Sequence, residues 1–465
     1  MENKSLWTKY DANQLEHLEE INDKYKECLD LGKTERECVE LTIAMAKEAG
    51  YEPLEKFIKE RKKIKAGDKI YAPCMKKSIA LFQIGSDPIE DGMNILGAHI
   101  DSPRIDIKAN PLYEDSDLAY LDTHYYGGIK KYQWVTQPLA LHGVVAKKDG
   151  SSFSIVIGES PNDPVLVISD LLVHLSAEQM EKKASKVVEG ENLDILIGNR
   201  PVEDGEEKAS VKKYLLSILK DKYDMEEEDF LSAELEIVPA GKARDCGIDR
   251  SMILGYGHDD RICAFTSLFA MLENEDAKRT ACCLLVDKEE IGSVGATGMQ
   301  SRFFENSVAE ILSLMEVDTN LGLRRTLANS TMLSSDVSAG YDPLYGGVFE
   351  KKNSAYLGRG VVFNKYTGRG GKGGSNDARA EFIGKLRQVM AKHEVDFQMA
   401  ELGKVDAGGG GTIAYIMGNL GMDVIDCGIA LLSMHAPYEV ASKADIYETY
   451  RAYKAFLEDM EYVER

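Results

Sequence analysis

The chain carries eight cysteines, at 28, 38, 74, 246, 263, 282, 283 and 427, yet no Cys-x-x-Cys pair. That excludes a zinc ribbon and a dithiol redox motif. Cys282 and Cys283 sit in an apolar run, where thiols serve as small core groups, and thiols left reduced fit an intracellular compartment. No apolar run approaches the roughly 20 residues a membrane-spanning helix needs. The opening stretch, MENKSLWTKYDANQLEHLEE, is too charged to hold the apolar core of a secretion signal. The expected location is therefore cytoplasmic. Positive charge is also short, with 56 Lys and Arg against 78 Asp and Glu and a formal net charge of −22. A basic surface is what nucleic acids and anionic membranes attract, so neither is an expected partner. The glycine-rich stretch at 368–374, GRGGKGG, lacks the spacing of a phosphate loop and reads as a mobile loop near a substrate entrance. No internal repeat is evident.

What is present suits a large globular protein. The 465 residues exceed one typical domain, and 44% hydrophobic with 29% charged content is ordinary for a folded chain. The N-terminal part reads as helical, with TERE at 34–37 forming a capping box before a helix that runs toward Gly50. Strands are expected at 78–82 and 95–100. Between 105 and 242 the pattern changes to short strands, as at 152–157 and 165–168, with a charged loop at 182–213 and an amphipathic helix near 211–222. From 251 onward long helix–strand alternation resumes, the mark of a parallel sheet covered by helices. The expected fold is α/β: a helix-covered mixed, mainly parallel sheet formed by residues 1–104 and 243–465, interrupted by a β-rich inserted domain at 105–242.

The chemistry concentrates where apolar runs stop. Residues 281–293, ACCLLVDKEEIGS, form a buried strand that ends in Asp287, Glu289 and Glu290. In open α/β sheets ligands bind outside the carboxyl ends of the strands. On an extended segment neighbouring side chains point apart, so one glutamate faces a metal while the other faces a water. Four more segments have the same form. His99 and Asp101 end one strand in NILGAHIDSPR, and His258, Asp259 and Asp260 precede an apolar helix in GHDDRI. Asp336 lies among small residues in SSDVSAG, and His435 follows the strand in GIALLSMHAPYE. Taken singly, each is more often a cap, a turn or a satisfied core group. Together the five segments describe one mixed imidazole–carboxylate centre without thiolate, suited to zinc, cobalt or manganese.

The motifs AHIDSPR, DKEEIGS, SSDVSAG, VDAGGGGTI and SMHAPYE, in this order, resemble the aspartyl aminopeptidase family of dinuclear zinc exopeptidases. The resemblance implies a metal-dependent aminopeptidase in which His99 and His435 each bind one of two divalent ions, with Asp260 bridging. Asp260 is favoured because the apolar helix follows it directly; Asp259 is the alternative. Glu290 and Asp336 would complete the coordination, Glu289 would be the general base, and Asp101 would orient His99. The resemblance further implies that the insert dimerises and that the chain assembles into a dodecamer acting on peptides. A histidine of the insert, His174 in ISDLLVHL, would then reach a neighbouring subunit's site, against the alternative of a packed histidine. Acid-selective members carry a lysine after a Val-Ile strand; here the stretch GVVFNKYTG offers Lys365, or Asn364 in its place. Two other readings stand beside this one: a related dinuclear deacylase or carboxypeptidase, and a non-catalytic assembly protein. The second would be expected to have lost ligands, and every ligand and the base are here. The AGGGGT stretch at 407–412 offers backbone amides that either bind a carbonyl or carboxylate or merely pack closely.

Overall fold

The longest apolar runs of the chain form the middle of a nine-stranded sheet in the computed structural model, which describes residues 4–204 and 207–464. Two helices come first, α1 (Ala12–Leu31) and α2 (Glu35–Glu48). The box expected at 34–37 opens α2: the Thr34 hydroxyl accepts from the Glu37 amide at 3.3 Å, and the Glu37 carboxylate accepts from the Thr34 amide at 2.9 Å. The elements that follow in the same part of the chain are β1 (Met93–His99), α3 (His258–Leu272), β2 (Thr280–Val286), β3 (Thr331–Ser335), β4 (Val361–Asn364), β5 (Asp423–Gly428) and α4 (Lys443–Asp459).

In space the central strands run β2, β1, β3, β5, all parallel. Antiparallel strands flank them, Ser78–Gln83 beside β2 and β4 beside β5, so the sheet is mixed and mainly parallel. The strands are apolar on both faces because both faces are covered. Leu96, Cys283 and Leu333 join one core with Phe265 and Phe269 of α3, while Ile95, Cys282 and Met332 join a second with Phe304 and Ile311. Cys282 and Cys283 are thus adjacent in sequence and sit in different cores, as strand alternation requires. Helix α3 is buried along almost its whole length. Each phenylalanine it buries contributes roughly 1.5–3 kcal/mol by removing apolar surface from water.

The chain divides into two compact units, one of residues 1–101, 243–434 and 439–465, the other of residues 102–242 and 435–438. Within these bounds residues 1–3, 205, 206 and 465 lie outside the described ones. The second unit holds a six-stranded antiparallel sheet, in spatial order Ser152–Ile157, Leu139–Ala146, Ala233–Pro239, Arg104–Asp115, Leu118–Tyr126, Ile195–Gly198. The helix expected near 211–222 spans Val211–Tyr223. The strand expected at 165–168 does not form a ladder; Leu166 and Val167 make only isolated bridges, to Leu139 and Leu196. The two bridges go to different strands, so the segment changes partner between Leu166 and Val167 instead of following one neighbour. Among the described residues no helix is long and apolar enough to cross a membrane.

Candidate metal centre

Because the four central strands are parallel, their carboxyl ends form one rim. Val286 pairs with His99, and Gly97 with Ser334, so His99 and Asp336 emerge side by side. His99 is the last residue of β1 and is 2% exposed. Its Nδ1 lies 2.9 Å from the Asp101 carbonyl oxygen and 3.3 Å from Asp101 Oδ1, so this nitrogen carries the proton and donates. Nε2 is left facing Asp259 Oδ1 at 3.3 Å and Glu289 Oε2 at 3.9 Å. One ligand atom from each of His99, Asp259 and Asp336 lies within 4.8 Å of the others.

Asp101 does more than the sequence suggested. Its carboxylate also accepts from the amides of Glu289, at 3.1 Å, and Glu290, at 3.2 Å. One buried carboxylate therefore fixes both the imidazole and the glutamate pair. The two glutamates are not on an extended segment. Lys288 takes a left-handed φ of 70°, and Glu289–Ile291 follow as a 3-10 turn. Their side chains diverge through the roughly 120° step of that turn rather than through strand alternation.

Helix α3 enters the rim through Gly257 with φ of 75°. Asp259 and Asp260 have non-helical backbone angles, and the peptide between them is cis. The Asp259 amide donates to the Glu439 carboxylate at 3.0 Å. Spacing from the apolar helix favoured Asp260 as the ligand, with Asp259 held as the alternative. The regular helix begins only after Asp260, so counting back from it does not report which side chain faces the rim. It is the Asp259 carboxylate that joins the donor set. Asp260 turns Oδ2 toward the His99 amide at 3.4 Å, and its buried Oδ1 has no hydrogen-bond partner among the described residues.

The remaining expected residues are placed as follows. His435 has a left-handed φ of 64°, and its Nδ1 lies 2.8 Å from the Gly128 carbonyl, both within the second unit. A backbone carbonyl bonded to one ring nitrogen is the arrangement usual for a metal-ligating histidine. His174 is exposed in a 3-10 turn, Val173–Leu175, so it is not the packed core histidine that an apolar segment suggested. Lys365 is paired with Asp377, which also holds Lys372 at 2.9 Å. Asn364 is buried and donates to the Ala400 carbonyl at 2.8 Å. Glu439 and the Asp101 amide contacts escaped sequence reasoning, although both residues lie inside motifs that were singled out.

The electrostatics are those of anionic groups crowded together. Burial pushes the Asp336 carboxyl well above its ordinary range, and the charge of Asp260 adds to it. Burial does the same for Asp260, with Asp259 adding and His99 opposing. Burial pulls the His99 imidazole down, but the carboxylates of Asp101 and Asp259 outweigh it and hold the ring above its usual value. Burial keeps the neighbouring Cys263 thiol protonated, so the available donors are nitrogen and oxygen. At an effective dielectric near 20, two carboxylates ~4 Å apart repel by about 4 kcal/mol. A divalent cation turns that repulsion into attraction, and this donor set fits zinc or a similar ion.

Known proteins resemble the chain along nearly all its length. The profile of the family described as "Aminopeptidase I zinc metalloprotease (M18)" matches residues 29–457. A Clostridium acetobutylicum protein bearing the name "Probable M18 family aminopeptidase 1" is 61% identical over 456 residues, 98% of each chain. The crystal structure of an M18 aminopeptidase from Thermotoga maritima superposes with a TM-score of 0.94 at 44% identity, covering 99% of this chain and 100% of that one. The yeast mApe1 dodecamer shares the fold at a TM-score of 0.75 and 19% identity, covering 93% and 95%.

Proposed function

The chain belongs to the M18 family of zinc metalloproteases and is an aminopeptidase, and on that premise we propose how its own residues run the reaction. His99, Asp259 and Asp336 would hold one divalent ion, and Asp259, Glu290 and His435 would hold a second. Asp259 replaces Asp260 as the shared ligand. The observation that carries this reading is that one ligand atom from each of His99, Asp259 and Asp336 lies within 4.8 Å of the others. When bound, a pair of zinc ions supplies Lewis acidity that polarises the scissile carbonyl and brings the pKa of a water toward ~7.

Glu289 is the general base. It takes the proton of the attacking water and delivers it to the departing amine, so the peptide C–N bond breaks with a neutral leaving group. Its position supports this: the carboxylate approaches His99 without belonging to either ligand set, and Asp101 holds its backbone amide. Asp101 is the positioning residue for the whole rim. Asp101→Asn is expected to weaken metal affinity by about 10–100-fold, the usual effect of losing such a partner. Titration of the metal-free variant with zinc checks this, and unchanged affinity would remove Asp101 from the scheme.

The substrate is a peptide with a free N-terminus. The reading extends to a homo-oligomer, a dodecamer like that of yeast mApe1, with His174 reaching a neighbouring subunit, and to a cytoplasmic location. The pairing of Lys365 with Asp377 weighs against Lys365 as a reader of acidic side chains. A release assay on zinc-loaded enzyme tests these points together. Its substrates are peptides with acidic, basic and apolar N-termini, each also N-acetylated. Cleavage confined to free N-termini is expected, with acidic residues not preferred. Release from acetylated peptides would return the weight to a deacylase.

A further inference from the structure

The glycine-rich segment at 407–412 is pinned to the sheet directly beneath the rim. Asp426 of β5 is 2% exposed, and the Thr412 hydroxyl donates to its Oδ1 at 2.6 Å. Asp426 pairs across the sheet with Ser334 of β3 and Asn364 of β4, and Ser334 in turn pairs with Gly97 of β1. The row Gly97, Ser334, Asp426 therefore lies two residues before His99 and Asp336 and shares their face. That separation is roughly 6.6 Å along the strands. Ile413 covers the same row, with Cδ1 3.5 Å from where a Cβ on Gly97 would stand.

From this anchor the segment runs back over the loop at 366–374. The Gly368 amide donates to the Gly410 carbonyl at 2.7 Å. Gly409 has φ of 131°, and a Cβ there would fall 2.0 Å from the Gly368 carbonyl oxygen, so only glycine fits. The carbonyls of Gly409 and Gly410 are thus used, the first by Arg369 Nε at 3.4 Å. The amides are not. Among the described residues no group accepts from the N–H of Gly409, Gly410, Gly411 or Thr412. Successive backbone N–H groups without acceptors, next to a buried side-chain bond, are donors open to a ligand oxygen.

We propose that these amides bind the main-chain carbonyl or carboxylate oxygen of the residue that follows the scissile bond, and that Thr412 and Asp426 are positioning residues for this contact. The inference rests on the aminopeptidase reading of the rim. In that reading the rim takes the N-terminal amine and the scissile carbonyl. The next oxygen of the substrate main chain then needs donors from the protein, and the unused amides end at Thr412, which is bonded to the row that leads to His99 and Asp336. Asp426 acts through Thr412 and touches no substrate.

Two substrates sharing one N-terminal residue distinguish the roles. An aminoacyl p-nitroanilide has no main-chain oxygen beyond the scissile bond, whereas the corresponding tripeptide does. With zinc-loaded enzyme, Thr412→Val is expected to raise KM for the tripeptide about tenfold, the equivalent of one hydrogen bond of positioning. kcat for both substrates and KM for the anilide should hold, and Thr412→Ser should restore the tripeptide KM. Asp426→Asn, which keeps an acceptor without the charge, should give a smaller rise of about threefold. An equal rise in KM for both substrates, or no change in either, would overturn the proposal while leaving the aminopeptidase intact. Wild-type enzyme that turns over neither substrate would instead overturn the reading of the rim.

Discussion

Glu289→Gln is expected to lower kcat by about three orders of magnitude while zinc content, KM and melting temperature stay close to wild type. General acid–base catalysis by a positioned side chain is worth about 10²–10⁴-fold, and a thousandfold loss corresponds to about 4 kcal/mol of transition-state stabilisation. Glutamine preserves the shape of the residue and its backbone contact to Asp101, which the amide makes and the side chain does not. It cannot take a proton from water. A fall in kcat with KM unchanged marks a contact made only in the transition state. Retained turnover at full zinc loading would remove Glu289 as the base, and lost zinc would make it a ligand instead.

The second expected effect separates two neighbouring aspartates. Asp259→Asn should cost both ions, lowering zinc affinity by more than the roughly 10–100-fold seen when an indirect partner is lost. Asp260→Asn should retain bound zinc, because its carboxylate meets the His99 amide rather than the donor set. Metal analysis of the two purified variants after dialysis against trace zinc decides between them. Loss of zinc in Asp260→Asn with retention in Asp259→Asn would restore Asp260 as the bridging ligand. Loss of activity alone would not discriminate, since Asp260 also holds the strand end that carries His99.

Much of the catalytic half was legible because its signals are local. A buried parallel strand must be apolar throughout and must stop at the first charge, so β1, β2 and β3 were readable together with the residues at their ends. The strand expected in GIALLSMHAPYE is instead the short Ala430–Leu432, in a separate five-stranded sheet. The capping box of α2 was readable for the same reason, since both of its bonds join residues three apart. In the second unit the signals were weaker. The apolar stretch at 165–168 has strand composition, but whether it pairs continuously depends on neighbours far away in sequence.

The amino-acid sequence by itself determined that the protein is an α/β enzyme whose imidazoles and carboxylates gather at strand ends, because burial and alternation are properties of consecutive residues. Only the tertiary structure decided which atom of each residue faces which neighbour. Asp259 rather than Asp260 joins the donor set because the backbone bends before the helix becomes regular. Glu289 and Glu290 diverge through a 3-10 turn that follows the left-handed Lys288. Asp101 reaches across 188 residues of chain to the Glu289 amide, and Thr412 reaches Asp426 from a different loop. Such contacts depend on how separate elements pack, and no window along the chain contains them.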